Sequence, residues 1–370
     1  MKNQTTDPRP QTLDPKVDLG HFIKQLKERV VKGGKISFEE ASKLIQIEPS
    51  EKENLERLLD AAREITFYFN SDEPGLCSLV NAKSYLCGED CGFCSQTVRF
   101  DTRVNRYKLM PAEEVVAAAK DFEKKGAVNF CVVTSGGDLN DAEFDQVIEI
   151  YKRLQAETNM NLDGSLGFLT PERVARLKES GLRRFNNNLQ SSREFYPNIV
   201  STHTYDKRLE TMDMLREGNV EICSGGILGM GETREDRVKL AFELIPYEPH
   251  CLPMNILNPR PGTPLENVPA PDPMEMIKTI AVFRFIHPKA NIKLAGGREV
   301  NLGNKYQEIA LKGGANGLII GGYLTTEGNP IKADFEMLAR AGFKPKKNPK
   351  AENLPQQISP ASCEMGSCGK

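Results

Sequence analysis

From Leu76 to about Phe343, short β-rich stretches alternate with helical ones, and this alternation constrains the fold more than any other feature of the chain. The stretches that read as strands are 77–85 (CSLVNAKSY), 128–134 (VNFCVVT), 160–168 (MNLDGSLGF), 183–189 (RRFNNNL), 220–228 (VEICSGGIL), 252–257 (LPMNIL), 291–296 (NIKLAG) and 317–323 (GLIIGGY). Between them lie segments such as PAEEVVAAAKDFEKKG, DAEFDQVIEIYKRLQAE, TPERVARLKESG and DPMEMIKTIAVFRFIHP, whose apolar residues recur at helical spacing. Parallel strands need a crossover of a dozen or more residues, usually a helix. Eight strand–helix units therefore predict an α/β fold closed into a (β/α)8 TIM-type barrel. Such a barrel takes about 250 residues, which leaves roughly a hundred of the chain for extensions.

The extensions differ from the barrel in composition. Residues 1–16, polar and proline-containing, read as a disordered leader with no apolar core for a signal peptide. Residues 17–75 carry helical periodicity in HFIKQLKERVV, SFEEASKLI and ENLERLLDAAREITFYF and predict an N-terminal helical extension. Ser37 followed by Glu40 fits a capping box. The barrel is expected over 76–343. Residues 344–370 form a Lys/Pro-rich linker without a core, a flexible C-terminal tail that carries Cys363 and Cys368. A net charge of −2 gives no argument for nucleic acid or an anionic membrane surface. No apolar run approaches the ~20 residues that span a bilayer, so a cytoplasmic protein is expected.

The cysteines point to chemistry. There are nine: Cys77, Cys87, Cys91, Cys94, Cys131, Cys223, Cys251, Cys363 and Cys368. In a cytosolic chain of this size such usage argues for metal or catalysis rather than disulfides. Cys87, Cys91 and Cys94 follow the first proposed strand with the spacing C-x3-C-x2-C. Three thiolates this close suit three corners of a [4Fe–4S] cluster. With no fourth cysteine nearby, one iron is left for a small-molecule ligand. A zinc knuckle or incidental thiols are the competing readings, but zinc wants a second ligand pair that this stretch lacks. After the second strand, Thr134-Ser135-Gly136-Gly137-Asp138 would let backbone approach a ligand closely, although a plain tight turn looks the same. Both features fall at carboxyl ends of strands, where barrel enzymes place their reacting groups.

The C-x3-C-x2-C pattern resembles the radical S-adenosylmethionine (SAM) superfamily. That resemblance implies that the open iron chelates the amino and carboxylate groups of SAM, whose reduction yields methionine and a 5′-deoxyadenosyl radical. It makes Phe93 the aromatic flanking the adenine, and Gly136-Gly137 the contact to the SAM amino group. Further motifs sharpen it: Asn81-Ala82-Lys83-Ser84, CGEDCGFCSQ, Phe185-Asn186-Asn187-Asn188-Leu189, Thr202 to Leu209, Cys223-Ser224-Gly225-Gly226-Ile227, Gly262-Thr263-Pro264-Leu265 and Gly297-Arg298-Glu299. Together, in this order over about residues 76–343, they are similar to the biotin synthase family.

This resemblance implies sulfur insertion between C6 and C9 of dethiobiotin, with an auxiliary [2Fe–2S] cluster as the sulfur donor, held by three strand cysteines and an arginine. Cys131 matches the first cysteine, Cys223 the third and Arg298 the arginine. Asp163 stands at the middle cysteine, three residues before Leu166-Gly167, and departs from the pattern because carboxylate is harder than thiolate. The tail pair Cys363 and Cys368 could ligate an auxiliary cluster of another type with Cys131 and Cys223; a dangling tail or a redox pair are the alternatives. Asn188 matches the asparagine between SAM ribose and substrate, Gln190 an acidic or Asn position at the ribose, Arg208 the arginine paired with the SAM carboxylate, and Asn255 an asparagine near SAM or dethiobiotin. Each has a structural counterpart: core cysteines, a barrel-mouth salt bridge for Arg298, a helix-surface Arg208, asparagines as strand-end caps. The resemblance also implies a reductant such as flavodoxin or ferredoxin and a homodimer. The competing functions are a related radical SAM rearrangement enzyme or maturase without sulfur insertion, which Asp163 favours, and a non-catalytic iron–sulfur sensor. His203 and Cys251 receive no role, and Cys77 reads as core.

Overall fold

The computed structural model describes residues 18–345. Three helices come first: α1 (Leu19–Val31), α2 (Phe38–Ile45) and α3 (Lys52–Phe69). The barrel follows as β1 (Gly75–Lys83), α4 (Ala112–Lys124), β2 (Asn129–Thr134), α5 (Asp141–Glu157), β3 (Asn161–Ser165), α6 (Pro171–Glu179), β4 (Arg184–Asn186), α7 (Tyr205–Glu217), β5 (Glu221–Cys223), β6 (Gly226–Leu228), α8 (Arg234–Glu243), β7 (Cys251–Ile256), α9 (Pro273–Ile286), β8 (Asn291–Leu294), α10 (Arg298–Lys312), β9 (Gly317–Ile319) and α11 (Ile331–Arg340). Every ladder between these strands is parallel. Strands run in the order β5-β4-β3-β2-β1-β9-β8-β7-β6, and β5 also pairs with β7, which closes the barrel.

The eight expected strands are all present, with one difference. The stretch 220–228 forms two pieces, β5 and β6, which together make one stave. Between them Gly225 turns its N–H to the Asn188 side chain at 3.0 Å. A Cβ on Gly225 would sit 2.2 Å from the Pro253 carbonyl oxygen, so only glycine lets this stave lie so close to β7.

The predicted N-terminal helices form, and the Ser37–Glu40 capping box has both of its reciprocal bonds. α3 lies along α9, whose residues Met276 to Phe285 are buried on every side. A helix buried on every side is one enclosed by protein; here the barrel and the N-terminal helices enclose it, and its two buried cations are met by backbone carbonyls. The Lys278 ammonium donates to the Ile47 carbonyl at 2.7 Å, and the Thr66 hydroxyl to the Gly314 carbonyl at 3.3 Å. Arg284, fully buried, donates to the carbonyls of Gly314, Pro288 and Ala290 and to Asn316 Oδ1 at 2.7–3.0 Å. No helix among the described residues is long and apolar enough to cross a membrane. Cys363 and Cys368 lie outside the described residues.

Candidate active site

Past β1, Tyr85 and Leu86 both take left-handed φ of 62° and swing the chain across the barrel mouth into Cys87. The loop is held by its own backbone and by the segment before α7. Val98 N–H donates to the Cys87 carbonyl at 2.9 Å, Cys94 N–H to Cys91 at 2.9 Å, and Gly92 N–H to Ile199 at 2.8 Å. Asp90 is the clamp: its carboxylate accepts from Ser201 N–H (2.9 Å), Thr202 N–H (3.1 Å) and Thr202 Oγ1 (3.0 Å), and from the Ser201 hydroxyl. Burial opposes ionisation, but these bonds prevail and hold the carboxyl well below the usual range.

Cys91 is buried; Cys87 and Cys94 are half-buried. Burial pushes the Cys91 thiol up to about 12 and Cys94 to about 11, with nearby Arg208 pulling both the other way. Among the described residues no three His, Cys, Asp or Glu side chains are grouped as a single metal ion needs. The three thiols on one short loop fit a polynuclear cluster as donor set. Phe93, between the last two, packs half-buried against the core.

The glycine pair lies against this loop. Gly136 has φ +122°, and a Cβ on Gly137 would lie 2.3 Å from a Glu89 carboxylate oxygen. Gly167 (φ +82°) packs on the Gly137 carbonyl, so two strand-end loops meet backbone to backbone. Beside them a groove of about 630 Å³ runs past Leu86, Gly88, Phe168, Arg173 and Lys207.

Arg208, on the first turn of α7, reaches back under the loop. Its Nε donates to Tyr196 Oη at 2.5 Å, its Nη2 meets His203 Nε2 at 3.1 Å, and its Nη1 is 3.4 Å from Asn187 Oδ1. His203 Nδ1 lies 2.6 Å from Glu89 Oε2, so the network assigns the ring proton to Nδ1. Burial lowers the His203 pKa despite Glu89, keeping the ring neutral. Among the described residues no carboxylate is within ion-pair distance of Arg208. Neither His203 nor Glu89 carries a motif or spacing that singles it out; only their chain-distant partners do.

Asn188 and Asn255 spend part of their capacity on backbone. Asn188 Oδ1 accepts from Gly225 N–H, and Asn255 bridges the Gly226 carbonyl (3.1 Å) and Gly296 N–H (3.0 Å). Gln190 is held at a left-handed φ of 71°, and its buried Oε1 has no partner among the described residues; the same holds for buried Asn186 Oδ1 and Thr134 Oγ1. Orphaned acceptors at strand ends cost free energy unless a polar ligand meets them.

Deeper in the barrel, Cys131 and Cys223 do share one interior. With them are two thiols passed over in the sequence, Cys77 and Cys251, and three charged groups, Asp163, Arg184 and Lys293, all buried. Burial opposes ionisation of Cys251, but the Cys223 thiol bonded to it and the cations Lys293 and Arg184 hold it below the ordinary thiol range. Arg298 is not part of this group. It begins α10, where its guanidinium forks onto buried Asp334 at 3.0 and 2.7 Å and donates to Tyr323 Oη (2.9 Å), the Ile319 carbonyl (3.1 Å) and Gln307. The expectation that Arg298 stands with Cys131 and Cys223 is thereby corrected: the strand before it, β8, sends Lys293 inward instead. The signal was there, a lone basic residue inside the apolar strand NIKL.

Comparison with known proteins adds to this geometry. Residues 82–244 match the Radical SAM superfamily, and residues 253–344 the Biotin and Thiamin Synthesis associated domain. The chain is 42% identical over 323 residues to a biotin synthase of Clostridium tetani, covering 87% of this chain and 98% of that one. It is 43% identical over 322 residues to one of Acetivibrio thermocellus, covering 87% and 99%. Among solved structures, a methylornithine synthase superposes with TM-score 0.77 at 21% identity, covering 87% of this chain and 97% of that one. A maturase of the [FeFe]-hydrogenase follows with TM-score 0.75 at 19% identity, covering 88% and 76%. These two share the fold.

Proposed function

The chain belongs to the biotin synthase family of radical SAM enzymes, and from that premise we propose how its residues divide the work of inserting sulfur into dethiobiotin to form biotin. When bound, the [4Fe–4S] cluster and SAM supply reductive cleavage and hydrogen-atom abstraction, and an auxiliary iron–sulfur cluster supplies sulfur. Cys87, Cys91 and Cys94 would hold the first cluster, and Asp90 fixes their loop against the segment before α7. Arg208 receives the SAM carboxylate, oriented by Tyr196 and neutral His203. Gly136 and Gly137 offer bare backbone to the SAM amino group, and Phe93 flanks the adenine. The free Gln190 oxygen accepts from a ribose hydroxyl; Asn188 and Asn255 set the walls on which ribose and substrate rest. Cys131 and Cys223 belong to the auxiliary cluster. Leu79, Val133 and Leu324, packed around Cys77 and Cys131, keep that interior dry. Flavodoxin or ferredoxin as reductant, a homodimer and a cytoplasmic location complete the reading.

The observation that carries this assignment is an arginine, Arg208, that has no carboxylate partner among the described residues and lies beside the buried thiol of a three-cysteine loop. Anaerobically reconstituted protein, given SAM, a strong reductant and dethiobiotin, is expected to release biotin and 5′-deoxyadenosine, one deoxyadenosine for each C–S bond. Deoxyadenosine formed equally with and without dethiobiotin, and no biotin, would instead favour the related enzymes that do not insert sulfur.

A further inference from the structure

Four thiols line the barrel interior, and they come in two pairs. Cys77 and Cys131 sit on adjacent strands β1 and β2 and pack together with Val133. Cys223 and Cys251 are direct register partners on β5 and β7. Because the strands run β5-β4-β3-β2-β1-β9-β8-β7 around a closed ring, the two pairs face each other across the lumen. All four are nearly withdrawn from solvent, at 6%, 6%, 7% and 0% exposure.

Of the two cations beside them, Arg184 has counter-charges in Asp163 and in Glu221, whose carboxylate lies 3.2 Å from its Nε, and Lys293 has none. Asp163, beside Cys131 in register, has one oxygen 3.9 Å from Cys77 Sγ and 3.8 Å from an Arg184 nitrogen, while Oδ1 is buried with no partner among the described residues. Lys293 is 3% exposed, yet among the described residues it makes no hydrogen bond and has no carboxylate within 4 Å. An isolated buried ammonium is strongly disfavoured. A cluster core ligated by four thiolates is a dianion in its oxidised form, and thiolate is a better iron ligand than carboxylate.

We propose that Cys77 and Cys251 complete, with Cys131 and Cys223, an all-thiolate site for the auxiliary cluster, faced by Lys293 and Arg184, with Asp163 outside the coordination. This rests on the functional reading above. It accounts for the missing middle cysteine: the donor lost on β3 is replaced from β1 and β7. It also leaves the tail cysteines out of the ligand set.

The test uses the full-length chain with Cys87, Cys91 and Cys94 all changed to Ala, so that retained iron belongs to the interior. After anaerobic reconstitution, iron, acid-labile sulfide and the visible and Mössbauer spectra are measured. The parent is expected to keep a cluster. Cys77→Ser and Cys251→Ser should each lose at least half of its iron or shift its spectrum, while Asp163→Asn and the double variant Cys363→Ser/Cys368→Ser keep both. Circular dichroism of the apo-variants checks folding. A second measurement is independent of any ligand loss: Lys293→Met should retain iron and titrate at a more negative midpoint potential. Parent-like iron and spectra in both Cys77→Ser and Cys251→Ser overturn the proposal, as does iron lost from the tail variant. A Cys223–Cys251 disulfide in the reconstituted parent, or an unchanged potential in Lys293→Met, also counts against it. A parent that binds no iron at all removes the auxiliary cluster itself, and with it the underlying reading.

Discussion

Replacing Arg208 should separate SAM binding from cluster binding. Its guanidinium has no carboxylate partner among the described residues, but Tyr196 at 2.5 Å and His203 at 3.1 Å fix its plane. A contact from this fork to a ligand carboxylate is a charge-assisted bond, contributing about 1.5–3 kcal/mol. At about 1.4 kcal/mol per tenfold, Arg208→Ala should weaken SAM binding about 10- to 100-fold. Arg208→Lys keeps the charge and loses the fork, and should fall between. Tyr196→Phe removes one neutral-oxygen support, about 0.5–1.5 kcal/mol, and should cost about 2- to 10-fold. The assay is equilibrium dialysis of SAM against oxidised, reconstituted protein, with iron measured on the same samples. Unchanged affinity in Arg208→Ala at full iron content would refute the reasoning. So would iron lost in step with affinity, because the arginine would then be supporting the loop rather than the ligand.

Three further outcomes follow from the geometry. Asp90→Ala should loosen the cluster loop and speed iron loss to a chelator several-fold; rates equal to the parent's would show the clamp to be dispensable. Because the Asp90 pKa is lower in the folded protein, its contribution is present above the unfolded carboxyl value, about 3.9, and is lost as pH falls through the folded one, so acid should labilise the parent's loop but not the variant's. Asp334→Ala strips buried Arg298 of its bidentate partner and leaves Glu299, at 3.2 Å, as its counter-charge, and should destabilise the chain by about 1–3 kcal/mol in denaturant melts while surviving folded protein binds iron normally; iron loss without destabilisation would return Arg298 to the cluster. Gly137→Ala places a methyl on the Glu89 carboxylate, and should raise the Kd for SAM without changing iron content, a split that an unaltered Kd would contradict.

The barrel was legible because each stave is a short apolar run and each crossover has a helical apolar stripe. The ends were not. The stretch 160–168 ladders only through Ser165 and 183–189 only through Asn186, because Gly167 and Gln190 turn into left-handed conformations to shape the mouth. Alternation within a fully buried strand is also invisible to an apolar count, which is why Cys77 reads as core; Cys251 receives no role because its register partner, Cys223, is remote in sequence. The Arg298 assignment failed for a related reason: it lies past the last ladder residue, Leu294, on the first turn of α10, and its direction is set by Asp334, far along the chain.

The enclosure of α9 also has a consequence for synthesis. Helices α1 to α3 leave the ribosome about 200 residues before α9, the surface they cover, exists. At about 5–20 residues per second this is an interval of about 10–40 s. Through it, the apolar faces of Leu26, Leu44, Leu58 and Ile65 have no native partner on α9 to bury them. The nascent chain therefore carries a sticky amino-terminal segment through most of translation, and slowing elongation between β1 and α9 should raise its dependence on chaperones and its loss to aggregation.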